Sequence, residues 1–445
     1  MRTGWVRAIS TRKIPKSTRA LIASIALGSV VLTGCGTDVD DITAGSGVGW
    51  PAVHHDGRNA GVGPETGARQ MNLSWSRPVG GPVAHPVTLG PDGQLFVTTR
   101  TGSGCAILSL QMATGRKRFC DRLGPNAVSS PTLVDSHTNV YFGDDGAVNS
   151  YNALGQPRWR TPVAGTPVSV QFTGDSHVLT ITQSGQIDVL ERQTGLRVVP
   201  TTQLLGEPDF LANPDLVRPA SGHGLDECGT GGPQCPVATV SAVDTATGRF
   251  FVTVWQPGEA TAELAALRYA DERIHREWSA KVLTGGSTTS PALSADAQTV
   301  YVGDNSGRLI ALNTEDGSTR WVRQLPFTPA GALSVSADGL IIPAGDEGYL
   351  MALRDTGDVV ETAWERKDLA LRGLPVQAGG GIGYTTVAIG GGLNLVTFDT
   401  ETGATVDSDV LPDAEGTTTG TSIGPEGEVV VATRVGEIFA FQPGR

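Results

Sequence analysis

The chain lacks the short signatures of hydrolases and nucleotide enzymes. It has no H-E-x-x-H pair for a catalytic zinc and no phosphate-binding loop ending in Lys-Ser or Lys-Thr. No G-x-S-x-G string falls where a strand would turn into a helix, as a nucleophile elbow requires. Two glycine runs, at residues 379–381 and 390–392, bracket a short strand with no helix behind them, so they read as wide turns and not as an anion cradle. No two of the five cysteines adjoin. Apolar runs are short as well: the longest, residues 20–32, falls below the roughly 20 residues of a transmembrane helix.

That run has a specific setting. Before it stand Arg2, Arg7, Arg12, Lys13, Lys16 and Arg19 with no acid, the form of an export signal. It ends on Leu32-Thr33-Gly34-Cys35, which resembles the lipobox of bacterial lipoproteins. That resemblance implies a signal peptide over residues 1–34 and acylation of Cys35, with palmitate among the chains. Multiple acyl chains anchor stably where one does not. Residues 36–49 are polar and Gly-rich and read as a tether with a reach of about 45 Å when extended. The expected place is the extracytoplasmic face of the cell membrane.

The whole chain holds 45 acids against 33 Lys and Arg, and six of those bases leave with the signal. So acidic a chain is a poor partner for nucleic acid or for anionic lipid heads. With Cys35 assigned to lipid, four cysteines remain in two local pairs. Cys105 and Cys120 flank the Thr114-Gly115 turn, and Cys228 and Cys235 flank a Gly-rich loop. Disulfides suit an oxidising compartment and add about 2–3 kcal/mol each when unstrained. Neither pair has the spacing of a zinc site.

What is abundant is a repeat. An apolar strand, a Gly-Asp turn, a second strand, a Thr-Gly turn and an aromatic recur at roughly 40–45 residues, the period of a propeller blade. Val300-Tyr301-Val302-Gly303-Asp304 with Asp316-Gly317 and Trp321 is the clearest copy; Val140-Tyr141-Phe142-Gly143-Asp144 with Gly155 and Trp159 is another. Phe119, Trp159 and Trp321 each lie four residues after a turn glycine, which predicts one large ring at the same point of successive blades. Eight copies can be written between about Val83 and Phe441. The last lacks its aromatic strand, and Leu73-Ser74-Trp75-Ser76 supplies an orphan one. The expected fold is an all-β, eight-bladed β-propeller over residues 50–445, latched by its termini, with seven blades as the alternative because the fourth and seventh copies are degenerate. An insertion at about 201–236, with five prolines and the second cysteine pair, interrupts it.

Ser-Pro-x-Leu, Tyr-Val-Gly-Asp, Ala-Leu-Asn and the opening Trp50-Pro51-Ala52-Val53-His54-His55-Asp56-Gly57 resemble the repeats of the pyrroloquinoline quinone propeller family across nearly all of residues 50–445. Lipobox and propeller together are similar to the lipoprotein subunit of the outer-membrane β-barrel assembly machinery. That resemblance implies a non-catalytic scaffold that docks on envelope or membrane proteins. The rival implication, a quinone-dependent dehydrogenase, requires adjacent cysteines and a calcium held by Glu and Asn beside a catalytic Asp, which cannot be picked out here. Ligand or glycan sensing at the channel is a third reading. No cofactor or metal is expected. Asp144-Asp145, Asp304-Asn305 and Asp346-Glu347 read as hairpin turns whose side chains bond their own backbone. His54-His55 reads as packing of the opening segment, and the inserted loop reads equally as recognition element or lid. A monomer is expected.

Overall fold

Each repeat folds as a four-stranded antiparallel meander, because its first three strands are apolar on consecutive residues and need cover on both faces. In the computed structural model, which describes residues 48–207, 220–345 and 347–444, Val140–Asp144 and Ala147–Tyr151 are buried at every position. The outer strand Pro157–Pro162 alternates between buried and exposed. The neighbouring blades supply the missing cover.

Among the described residues, six sheets have four strands each, and a ninefold sheet contains two more such meanders. Blades 1 to 5 lie at 88–122, 133–162, 167–203, 242–284 and 292–324. Blades 6 and 7, at 333–371 and 376–411, are joined because the long outer strand Val360–Leu371 overshoots and pairs Ala370 with Ala388. Val62–Thr66 adds a parallel strand beside Val376–Gly379. Blade 8, at 418–443, takes its fourth strand from Met71–Pro78, with Leu73 opposite Phe441 and Pro78 opposite Glu437. A strand from the N-terminal side thus pairs with the last strand and closes the ring, which removes the open edge of a linear array.

Aromatic rings set the spacing between blades. The indole N–H groups of Trp75, Trp159, Trp278 and Trp364 donate to the carbonyls of Met112, Arg192, Thr314 and Thr400, each on the following blade, at 2.7–3.0 Å. The ring lies flat on the turn glycine there: a Cβ on Gly195 would sit 2.6 Å from the Trp159 ring, and one on Gly317 would sit 2.5 Å from Trp278. Both glycines also have positive φ, so the turn needs glycine twice over. Phe119 takes the same place on Gly155. Trp321 is the variant, donating to the Asp355 carboxylate at 3.1 Å.

Two boundaries differ from the sequence expectation. Thr202–Gln203 pairs with Gln186 and Ile187 as the outer strand of blade 3, so the insertion starts after it and not at 201. Ile389 pairs with Gly392, which makes the glycine turn there tight and not wide. Its flanking strands run eight residues each.

Candidate functional site: the axial plug and the stapled loop

Eight innermost strands leave eight inner edges of backbone N–H groups around the axis, and buried amides without partners are costly. Residues 50–61 supply the partners. Trp50 exchanges two hydrogen bonds with Leu89 of blade 1. The carbonyls of Pro51, Gly57, Arg58, Ala60 and Gly61 then accept from Val134, Val243, Leu293, Val335 and Gln377, on blades 2, 4, 5, 6 and 7, at 2.6–3.0 Å. Asn59, fully buried at φ 55, donates to the carbonyls of Val240 and Pro291 and accepts from Gln171 of blade 3 at 3.0 Å. Asparagine tolerates this left-handed backbone and also offers both a donor and an acceptor. The segment is therefore an axial strap that ties seven blades together. The sequence showed only that it packs; Asn59 followed by Ala60-Gly61 was the available signal.

The histidines of the strap, His54 and His55, and the nearby His85 are structural. His54 Nε2 lies 3.1 Å from Ser290 Oγ, and burial, with the nearby His85, lowers its pKa to about 3. His85 Nε2 lies 3.0 Å from the Ser129 carbonyl, and burial lowers it to about 4. His55, at φ 77, packs its ring 4.9 Å from Trp50 and is lowered by burial too. All three are neutral at pH 7. A cavity of about 180 Å³ opens beside the strap, lined by His55, Asp56, Arg58, Gln171 and Phe172 among others. Its one cation is already committed, since Arg58 Nε pairs with Asp56 at 3.0 Å. Among the described residues no three His, Cys, Asp or Glu side chains cluster as metal ligands.

The inserted loop covers the opposite strand ends. Gln183 Nε2 donates to the carbonyls of Ser221 and His223, Thr166 Oγ1 to that of Ser221, and Asn305 Nδ2 to that of Thr230. These partners sit at the starts of inner strands and at second-to-third strand turns, whereas the strap meets the ends of inner strands. The Cys228–Cys235 bridge, with Cα atoms 5.1 Å apart, staples the loop beside the short helix Leu225–Cys228. Cys105 and Cys120 bridge two strands of blade 1, with Cα atoms 5.8 Å apart. Cys35 lies outside the described residues, as does Asp346.

The acidic turns divide. Asp304 accepts from the amides of Ser306 and Arg308 in its own turn. Asp144 instead pairs with Arg160 at 3.0 Å, and Asp145 accepts from the Asn126 amide, so these two serve neighbouring elements and not their own hairpin. Gly420-Thr421-Ser422-Ile423-Gly424 spells a nucleophile pattern, yet it is an inner strand in which Ser422 is fully buried and donates to the Val87 carbonyl at 2.6 Å.

Residues 55–205 and 237–443 match the family described as outer membrane protein assembly factor BamB, and the gap between the two spans is the inserted loop. The chain belongs to that family. It is similar to protein Rv3035 of Mycobacterium tuberculosis, 36% identical over 92% of this chain and 100% of that one. BamB from Moraxella catarrhalis has the same fold, with a TM-score of 0.57 at 17% identity over 84% of this chain and 100% of that one. Quinohemoprotein alcohol dehydrogenase from Comamonas testosteroni also shares it, at 0.61 and 13% identity over 89% of this chain and 81% of that one. A quinone of the pyrroloquinoline type, a tricarboxylate, does not fit the residues at this family member's axis. The strap fills it, the only cation at the cavity is paired, and both disulfides lie away from it.

Proposed function

We propose that this chain is a lipid-anchored, extracytoplasmic propeller that acts as a non-catalytic scaffold for envelope or membrane proteins. One observation carries the reading: the chain's own backbone fills the axis, and the cavity beside it offers no unpaired cation for a tricarboxylate quinone, which leaves the outer surfaces for work. Family membership supports it, since the family is described by its role in outer membrane protein assembly. Acylation of Cys35 would hold the propeller at the membrane, and the stapled loop at 220–236 offers an ordered recognition surface. The protein works as a monomer without nucleic acid.

The test is crosslinking and co-purification from intact membranes, comparing the full chain with one from which residues 228–235 are deleted. A partner captured by the first and lost from the second supports docking through the loop. Dye-linked oxidation of alcohols or sugars on addition of pyrroloquinoline quinone and calcium would defeat the non-catalytic reading.

A further inference from the structure

The chain is acidic as a whole, but its charge is unevenly spread. From Arg77 to Arg122 it carries six cations (Arg77, Arg100, Arg116, Lys117, Arg118 and Arg122) against two acids, Asp92 and Asp121. All six cations are exposed, and among the described residues none forms an ion pair. Asp121 accepts from Tyr151 Oη at 2.6 Å and from the Arg122 amide at 2.8 Å and pairs with none of the six side chains. Averaged over the chain, this excess disappears, which is why composition argues against anionic lipid.

The geometry concentrates it further. The outer strands Met71–Pro78 of blade 8 and Lys117–Arg122 of blade 1 flank the seam between these two blades, next to the closure made within blade 8. A groove of about 470 Å³ runs along that seam. Arg77, Arg116 and Lys117 line it with Val79, Leu108 and Leu110, and no carboxylate does. Cations over apolar side chains match an amphiphile with an anionic head. No aromatic residue lines the groove, although protein interfaces favour aromatic anchors.

We propose that the seam of blades 8 and 1 docks the propeller on an anionic phospholipid surface, with Arg77, Arg116 and Lys117 at the headgroup phosphates. The inference rests on the membrane-anchored reading. Unpaired Lys and Arg attract an anionic bilayer at close range, and the attraction fades within a Debye length. The strands at the seam also carry Asp121 and, opposite Pro78, Glu437, which the six cations outnumber, so the field acts locally despite the acids of the other blades.

The test uses residues 40–445, one compact unit whose ring closes within residues 71–443. The unit lacks Cys35, so its binding is independent of acylation. Co-sedimentation is measured with phosphatidylcholine vesicles and with vesicles that also hold phosphatidylglycerol, at low and at physiological salt. Binding is expected only to the second, weakening with salt. The triple change R77E/R116E/K117E should lower partition about a hundredfold or more. A charge-matched triple on blades 4 and 6, R273E/K281E/K367E, should keep it. R77Q/R116Q/K117Q replaces the first triple if that fails to fold. No binding, equal binding to both vesicles, or binding unmoved by the seam triple overturns the proposal; an acidic protein partner would give the first of these. Failure of the anchoring reading would look different: unmodified Cys35 in the native protein with vesicle binding intact.

Discussion

Acidification should destabilise the fold around the axial strap, and two histidines, His54 in the strap and His85 near it, set the size of the effect. Burial holds His54 at about 3 and His85 at about 4, against about 6.5 in an unfolded chain. The unfolded state therefore binds more protons below pH 6.5, and stability falls as pH drops from there toward the folded values. From pH 7 to pH 5 a fully buried histidine of this kind loses about 2 kcal/mol. His54 is buried outright, while His85 keeps some solvent contact and its share is discounted, so the pair accounts for about 3–4 kcal/mol. Asp409 acts in the opposite sense. Burial and the neighbouring Asp407 raise it to about 6, so its contribution is present at acid pH and lost as pH rises through 6. Comparison with H54Q/H85Q isolates the histidines, because glutamine can hydrogen-bond toward Ser290 and the Ser129 carbonyl without titrating. Urea unfolding followed by tryptophan fluorescence at pH 7 and pH 5 gives the two differences. The parent should lose about 3–4 kcal/mol relative to the variant over that interval. A relative change below about 1 kcal/mol would refute the burial argument.

Other consequences are open to measurement. Gly195→Ala should cost about 2–4 kcal/mol, since the new Cβ meets the Trp159 ring at a positive φ, whereas Gly206→Ala, with positive φ but nothing within 4 Å, should cost about 1 kcal/mol. Equal losses in thermal melts would disprove the docking account. Asn59→Ala removes the donor to the Val240 and Pro291 carbonyls and one of the two acceptors of the Gln171 amide in the core, and should cost about 3 kcal/mol by chemical denaturation. Opening the loop staple with C228S/C235S should raise protease cleavage within 220–236 while the melting temperature of the blades holds, because the loop lies over turns and not within a sheet. Mass spectrometry of the membrane-extracted protein should find Cys35 as the acylated first residue; a free thiol there would remove the anchor.

The blade pattern was legible because it is local. Strand, Gly-Asp turn, strand, Thr-Gly turn and aromatic obey backbone rules that need no knowledge of neighbours, and the orphan strand at Trp75 followed from counting what blade 8 lacks. The partners Cys105 with Cys120 and Cys228 with Cys235 were legible for the same reason, being joined across short turns. The reach of Trp159 to Gly195 was half legible: the constant offset gave the ring, but the next blade had to be in place to give its seat. The course of the strap was hidden, since its carbonyls meet amides about 40 to more than 300 residues away and no side-chain pattern encodes a backbone partner. The basic stretch from Arg77 to Arg122 was present in the sequence but masked by the acidic total, and only the structure shows that Arg77 and Arg116–Lys117 line one groove. The sequence by itself determined the repeating unit, which is short-range, the strand that blade 8 lacks, and the basic stretch; ring closure in three dimensions decided what fills the axis and which of those cations share a groove.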